Sequence, residues 1–213
     1  MWQFITDRKA QILINTFNHA YLVILAVIIA TVIGVALAMV ITRIPKLEPI
    51  GNALSTIGLT IPSFALVGLL LPVSGLGSAS ALLIVTFYAV LPILRNAVVG
   101  LGGVDANLIE SARGMGMSEP ASMVRVRLPL AWPVILAGIR VSLQMSMGIA
   151  AIAAYVLGPG LGGAIFTGLT QLGGKNALNY TIVGTVGIVI IALLLDLVLL
   201  MLGRATTSKG IRV

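Results

Sequence analysis

Glu110-Ser111-Ala112-Arg113-Gly114-Met115-Gly116, continued by Val126-Arg127-Leu128-Pro129, is the one long polar island in a very apolar chain. Asn107 is placed to cap a short helix, because Glu110 then falls at N3 and can reach back as in a capping box. Gly114 and Gly116 break that helix, since glycine takes the left-handed conformation at little steric cost. Ser118 caps a second short helix, with Pro120 tolerated in its first turn. Leu128-Pro129 ends the polar segment and starts the next apolar one. The island thus predicts helix, glycine break and helix on the surface of a membrane protein. It sets Leu108, Ile109, Met115, Met117 and Met123 among charges, and methionine suits a surface that grips a partner and repacks against it.

Outward from the island, composition decides the class. Of 213 residues, 59% are hydrophobic and only 9% charged, where soluble domains carry roughly 25% charged residues. The chain reads as an integral membrane protein built as one domain over residues 1–213. It has no cysteine, so a disulfide or thiolate metal site is excluded. The net charge of +7 is scattered among apolar segments and fits positive-inside topology better than nucleic-acid binding. No cleavable signal is evident, because the first long apolar run exceeds a signal h-region.

Residues 1–18 mix Trp2 and Phe4 with Asp7, Arg8 and Lys9. They predict an interfacial amphipathic segment or a disordered tail. His19, the lone histidine, reads as a solvated span end. Residues 20–42 exceed the roughly 20 apolar residues a span needs. Within them Ala26, Ala30, Gly34 and Ala38 form a small-xxx-small stripe for close helix packing. From Pro49 to Leu94 there is no charge. The stretch Pro72–Ser78 divides this run into spans near 52–71 and 79–103, with Pro62 and Pro92 as kinks inside them. A fourth span is expected at 130–156 and a fifth at 178–202. The glycine-rich stretch 158–163 leads into Ala164–Leu172, which is too short to cross. Lys and Arg counts put the 43–48 turn, the 104–128 island and the C-terminus, with Arg204, Lys209 and Arg212, on the cytoplasmic side. The N-terminus then lies outside.

No catalytic constellation is visible. The stretch Gly168–Asn176 misses the phosphate-loop spacing and has Asn where a magnesium-binding Ser or Thr belongs, so this chain carries no ATP site of its own. Arg95, Arg140 and Asp196 lie inside spans, where an unpaired charge costs roughly 2.5–3.5 kcal/mol. An ion pair of Asp196 with Arg95 or Arg140 competes with snorkelling of the arginines. Ser63, Asn96, Ser142, Gln144, Ser146 and Tyr155 are the candidate liners of a translocation path. Few aromatics lie in the spans, which makes a cation–π cage hard to build.

The island also resembles the cytoplasmic loop of permease subunits of binding-protein-dependent ABC importers, E-A-A-x3-G-x9-I-x-L-P. Glu110, Ser111, Ala112, Gly116, Val126, Leu128 and Pro129 fall on it, with Ser for the first Ala and Val for Ile. The phrases LPILRNAVVGLGGVD and ESARGMGM look like the osmoprotectant (glycine betaine/carnitine/choline) branch. The resemblance implies an all-α, five-span bundle of the type I importer (MetI-like) fold in a bacterial or archaeal inner membrane. It implies a second permease subunit, the same or a relative, two ATPase subunits that hold ATP and Mg, and an external solute-binding protein. Coupling to the ATPases would run through Asn107, Glu110, Ser111, Ala112, Gly116, Met117, Leu128 and Pro129. A stand-alone channel or ion-coupled secondary transporter is the alternative, and a membrane scaffold a third. Against the transporter alternative, the spans lack the proton relays that coupling uses.

Overall fold

The computed structural model describes residues 1–207; Lys209 and Arg212, counted in the topology, lie outside the described residues. The described chain is helical: α1 (Trp2–Arg43), α2 (Glu48–Thr60), α3 (Ser63–Ser74), α4 (Ser78–Gly102), α5 (Ala106–Gly114), α6 (Glu119–Ser122), α7 (Leu128–Ala153), α8 (Gly162–Thr170) and α9 (Ala177–Thr206). Among the described residues four helices are long and apolar enough to cross a membrane, or five if the bent pair α2–α3 is one span.

The segment 1–18 forms no separate element. It is the first half of the continuous α1, in which Phe4 is buried and stacks edge-on against Tyr180 of α9 at 4.8 Å. Nothing in 2–33 interrupts the helix, because the sequence there holds neither proline nor glycine. His19 is wholly buried rather than solvated. It packs against Gly160, which has φ +122 and on which a Cβ would lie 2.7 Å from His19 Nδ1.

Helices α1, α4 and α7 make the core. Ala26, Ala30 and Ala38 are fully covered, and a Cβ on Gly34 would lie 3.0 Å from Ile93 of α4. The stripe therefore serves packing inside the chain. On the other side of α4, a Cβ on Gly138 of α7 would lie 2.6 Å from Asn96 Cβ, so these backbones approach as only small residues allow. Ser142 Oγ completes the contact by donating to the Ala89 carbonyl at 2.8 Å.

Pro62 does more than kink a span. It precedes the first residue of α3, and the chain turns by 96° between α2 and α3. Proline removes the N–H that would continue the helix and disfavours a helical residue before it; Ile61 is accordingly extended. Its freed carbonyl accepts from Tyr88 Oη at 2.6 Å. Pro92, by contrast, lies buried within an unbroken α4.

Candidate functional site

The island folds as a short helical hairpin, but its caps differ from those expected. Asp105, not Asn107, caps α5: its carboxylate accepts from the Asn107 backbone N–H at 2.9 Å. Glu110 is therefore beyond N3 and free of the capping box, with its side chain exposed. Ser111 Oγ donates to the Asn107 carbonyl at 2.7 Å. At the other end, Met117 N–H donates to the Ala112 carbonyl and Gly116 N–H to the Arg113 carbonyl. With Gly116 at φ +84, these two bonds are a Schellman motif. Gly114 remains helical, so Gly116 alone makes the left-handed break.

Ser118 precedes α6, with Pro120 in its first turn. Leu128-Pro129 does not stop the segment there. α6 runs through a π-helical turn, Met123–Arg127, directly into α7. Proline is tolerated at that point because the wider turn relaxes the backbone ladder. Glu119 ties the hairpin together: one carboxylate oxygen lies 3.2 Å from Arg113 on α5 and the other 3.5 Å from Arg127 at the root of α7. Ala112 is buried at the α5 contact. The island is thus a braced extension of a span.

Its outer face is narrower than the sequence suggests. Leu108 and Met115 are exposed with Asn107, Glu110, Arg113 and Pro129, and Met117 and Leu128 are partly covered. Ile109 and Met123 are buried and anchor the hairpin. Beside α5, a cavity of about 390 Å³ opens between the end of α4 and the start of α7, lined by Val99, Val104, Leu108, Leu130 and Val134. An apolar side chain from outside would fit there.

Of the three charges within spans, two meet. Arg140 Nε and Nη2 donate to the two oxygens of Asp196 at 2.8 and 2.9 Å, a bidentate pair between α7 and α9. Arg95 is exposed and takes no part. Gln144, one turn along α7, also faces Asp196. The candidate path residues do not converge. Ser142 and Ser146 are wholly buried between helices, Asn96 donates to its own helix at the Pro92 carbonyl, and Ser63 begins α3. Tyr155 is exposed in the 3-10 turn after α7 and meets Phe64 and Phe166. Two further residues, Asp105 and Glu119, shape the island. Asp105 was legible as an acid directly before Ala106, but Glu119 becomes a brace only once the hairpin closes.

Residues 30–208 match the family described as "Binding-protein-dependent transport system inner membrane component". The choline transport system permease protein OpuBB of Bacillus subtilis is 39% identical over 211 residues, covering 99% of this chain and 95% of that protein. The osmoprotectant import permease protein OsmW of Salmonella typhimurium is 36% identical, covering 98% of each. Among solved structures, an inward-facing MetNI methionine ABC transporter superposes with a TM-score of 0.77 at 24% identity, over 91% of this chain and 95% of that one. That likeness fixes the fold as the type I importer permease bundle.

Proposed function

Because the chain belongs to the family of binding-protein-dependent transport system inner membrane components, we propose that it is the permease subunit of an ATP-driven importer of quaternary-ammonium compatible solutes such as choline, glycine betaine or carnitine. The solute class is supported by the names of relatives that match along nearly the whole chain. The single observation that carries the mechanism is the braced island. α5 and α6 present Leu108, Met115 and Glu110 outward, while Glu119 and the unbroken helical path pass any displacement into α7.

ATP and magnesium sit on two partner ATPases that grip this face, and an apolar partner side chain fills the cavity beside Leu108. When the ATPases close, the island moves as a lever and α7 carries α4 and α1 with it through their shared small-residue seams. A second permease subunit completes the path, and an external binding protein delivers the solute. The island is cytoplasmic and the N-terminus external. The two states need only alternative packings that ATP and the loaded binding protein bias differently.

The test is ATPase activity of the reconstituted complex with and without loaded binding protein. Gly116→Val forces a β-branched residue into left-handed backbone, which costs roughly 1–2 kcal/mol or more, although the space around Gly116 is open. Glu110→Lys inverts a charge on the docking face. Both variants should insert and accumulate normally, while uptake and substrate-stimulated hydrolysis fall by about tenfold, equivalent to 1.4 kcal/mol. Full stimulation in both would remove the island from the coupling role.

A further inference from the structure

Phe64, Tyr155 and Phe166 come from three separate elements and meet at two backbone breaks. Phe64 is the second residue of α3, directly after the 96° bend. Tyr155 lies in the 3-10 turn Ala154–Val156, which ends at Leu157 in the left-handed conformation, φ 59. Phe166 is in the middle of α8. The Phe64 and Tyr155 rings meet edge to face at 5.8 Å, and Tyr155 and Phe166 are tilted at 5.9 Å. Phe64 and Tyr155 remain 52% and 64% exposed, so ring surface is left open.

Both breaks are held firmly. Tyr88 Oη bonds the Ile61 carbonyl at the bend, and Gly77 N–H donates to the Val156 carbonyl at 2.7 Å, tying the α3–α4 link to the turn that carries Tyr155. The rings are therefore positioned before any ligand arrives. In secondary transporters the interrupted helices line the substrate site, and this chain has two comparable breaks side by side. None of the elements involved brings a charge of its own, since α2 after Glu48, α3 and α8 hold no Asp, Glu, Lys or Arg. The contrast within the molecule is the Phe4–Tyr180 pair, whose ring faces are already taken by the Arg8 guanidinium at 5.3 and 5.0 Å. Among the described residues, no cation–π contact is formed by the Phe64–Tyr155–Phe166 set.

We propose that these three rings form a transient cation–π station for the quaternary ammonium group of the solute. This rests on the solute class inferred above. A positive, weakly hydrated trimethylammonium gains from open aromatic faces, and a set of two open rings and a third partly covered holds it loosely enough to release it.

The experiment is choline uptake per ATP hydrolysed in proteoliposomes of the complete complex, with binding protein supplied outside. Tyr155→Leu and Phe64→Leu should each lower solute moved per ATP by about two- to fivefold, the range an exposed cation–π contact supplies. Tyr155→Phe and Phe64→Tyr should retain wild-type values and show that the fold tolerates change there. Progressive fluorination of a phenylalanine at 155 should lower the ratio stepwise as the ring face loses negative potential. Leucine variants with wild-type transport, Phe and Leu variants that fail alike, or a flat fluorination series would each overturn the station. A wild-type complex that moves no quaternary ammonium would instead overturn the solute class itself, so the two failures are separable.

Discussion

Helices α4 and α9 are both long apolar runs, yet they are held by different forces. In α4, 56% of the most apolar stretch is buried inside the chain; in α9 the share is 11%. Lipid tails are as apolar as leucine, so an exposed leucine in a membrane carries no penalty that burial would relieve. What decides packing is how closely two backbones can approach. α4 lies between the small faces of α1 and α7, at Gly34 on one side and Gly138 on the other. α9 meets small-residue seams in its first half, where Gly184 and Gly187 admit Ile165 and Leu161, and near its end, where Gly203 admits Leu136. It is fastened as well by polar contacts, Arg140 to Asp196 and Trp132 Nε1 to Thr206 Oγ1 at 2.7 Å. One helix is packed and the other is pinned.

Three substitutions test that difference. The largest effect is expected from Gly138→Leu. Even its Cβ would sit 2.6 Å from Asn96 Cβ and 3.1 Å from the Pro92 carbonyl, so α4 and α7 must separate. Overpacking of this kind costs roughly 1–3 kcal/mol and often more, and detergent-solubilised protein should lose its monodisperse peak on fluorescence size exclusion. A sharp wild-type peak would mean that the seam is not what holds the core.

Asp196→Asn comes next. It leaves the Arg140 guanidinium without its counter-charge at membrane depth. Because the pair is only part-buried, with side chains 33% and 17% exposed, the loss is expected at about 1–3 kcal/mol, the desolvation cost of a half-orphaned group. The apparent melting temperature should drop by several degrees, and Arg140→Gln in the same chain should recover part of it. Equal melting of Asp196→Asn and wild type would show that Arg140 simply reaches the headgroups.

The smallest change is expected for Leu193→Ala, on the bare face of α9 where Leu193 is 67% exposed. Surface substitutions away from contacts stay within about 0.5 kcal/mol, so abundance and melting should match wild type. A clear loss would sharpen the comparison by showing that a second subunit covers this face.

Much of this was legible from residues alone, for reasons that hold locally. Gly116 marks a left-handed break because the sequence around it alternates helix formers with glycine, and the two Schellman bonds bear that out. The Ala26–Ala38 stripe has a period that puts all four residues on one helix face, and that face is buried. Caps were less legible: Asp105 and Asn107 are both good cap residues, and which one wins depends on where α4 releases the chain. The segment 1–18 misled because its polar residues look interfacial, whereas Phe4 is recruited into the fold by Tyr180, 176 positions away. The three-charge cluster resolves into one pair because Arg140 lies on the face of α7 that meets α9, whereas Arg95 lies on α4 and is exposed.

By itself the sequence determined the class, the approximate places of the long apolar runs, and the island with its glycine break. These follow from hydropathy over some twenty residues and from backbone preferences within four or five, which need no distant partner. Only the tertiary structure decided which apolar faces are packed and which are bare, which arginine answers Asp196, that Glu119 braces the island, and that Phe64, Tyr155 and Phe166 meet. Each of those depends on residues far apart in the chain being brought within a few ångströms, and in a membrane no hydrophobic pattern records that choice, because apolar side chains are equally at home against lipid and against protein.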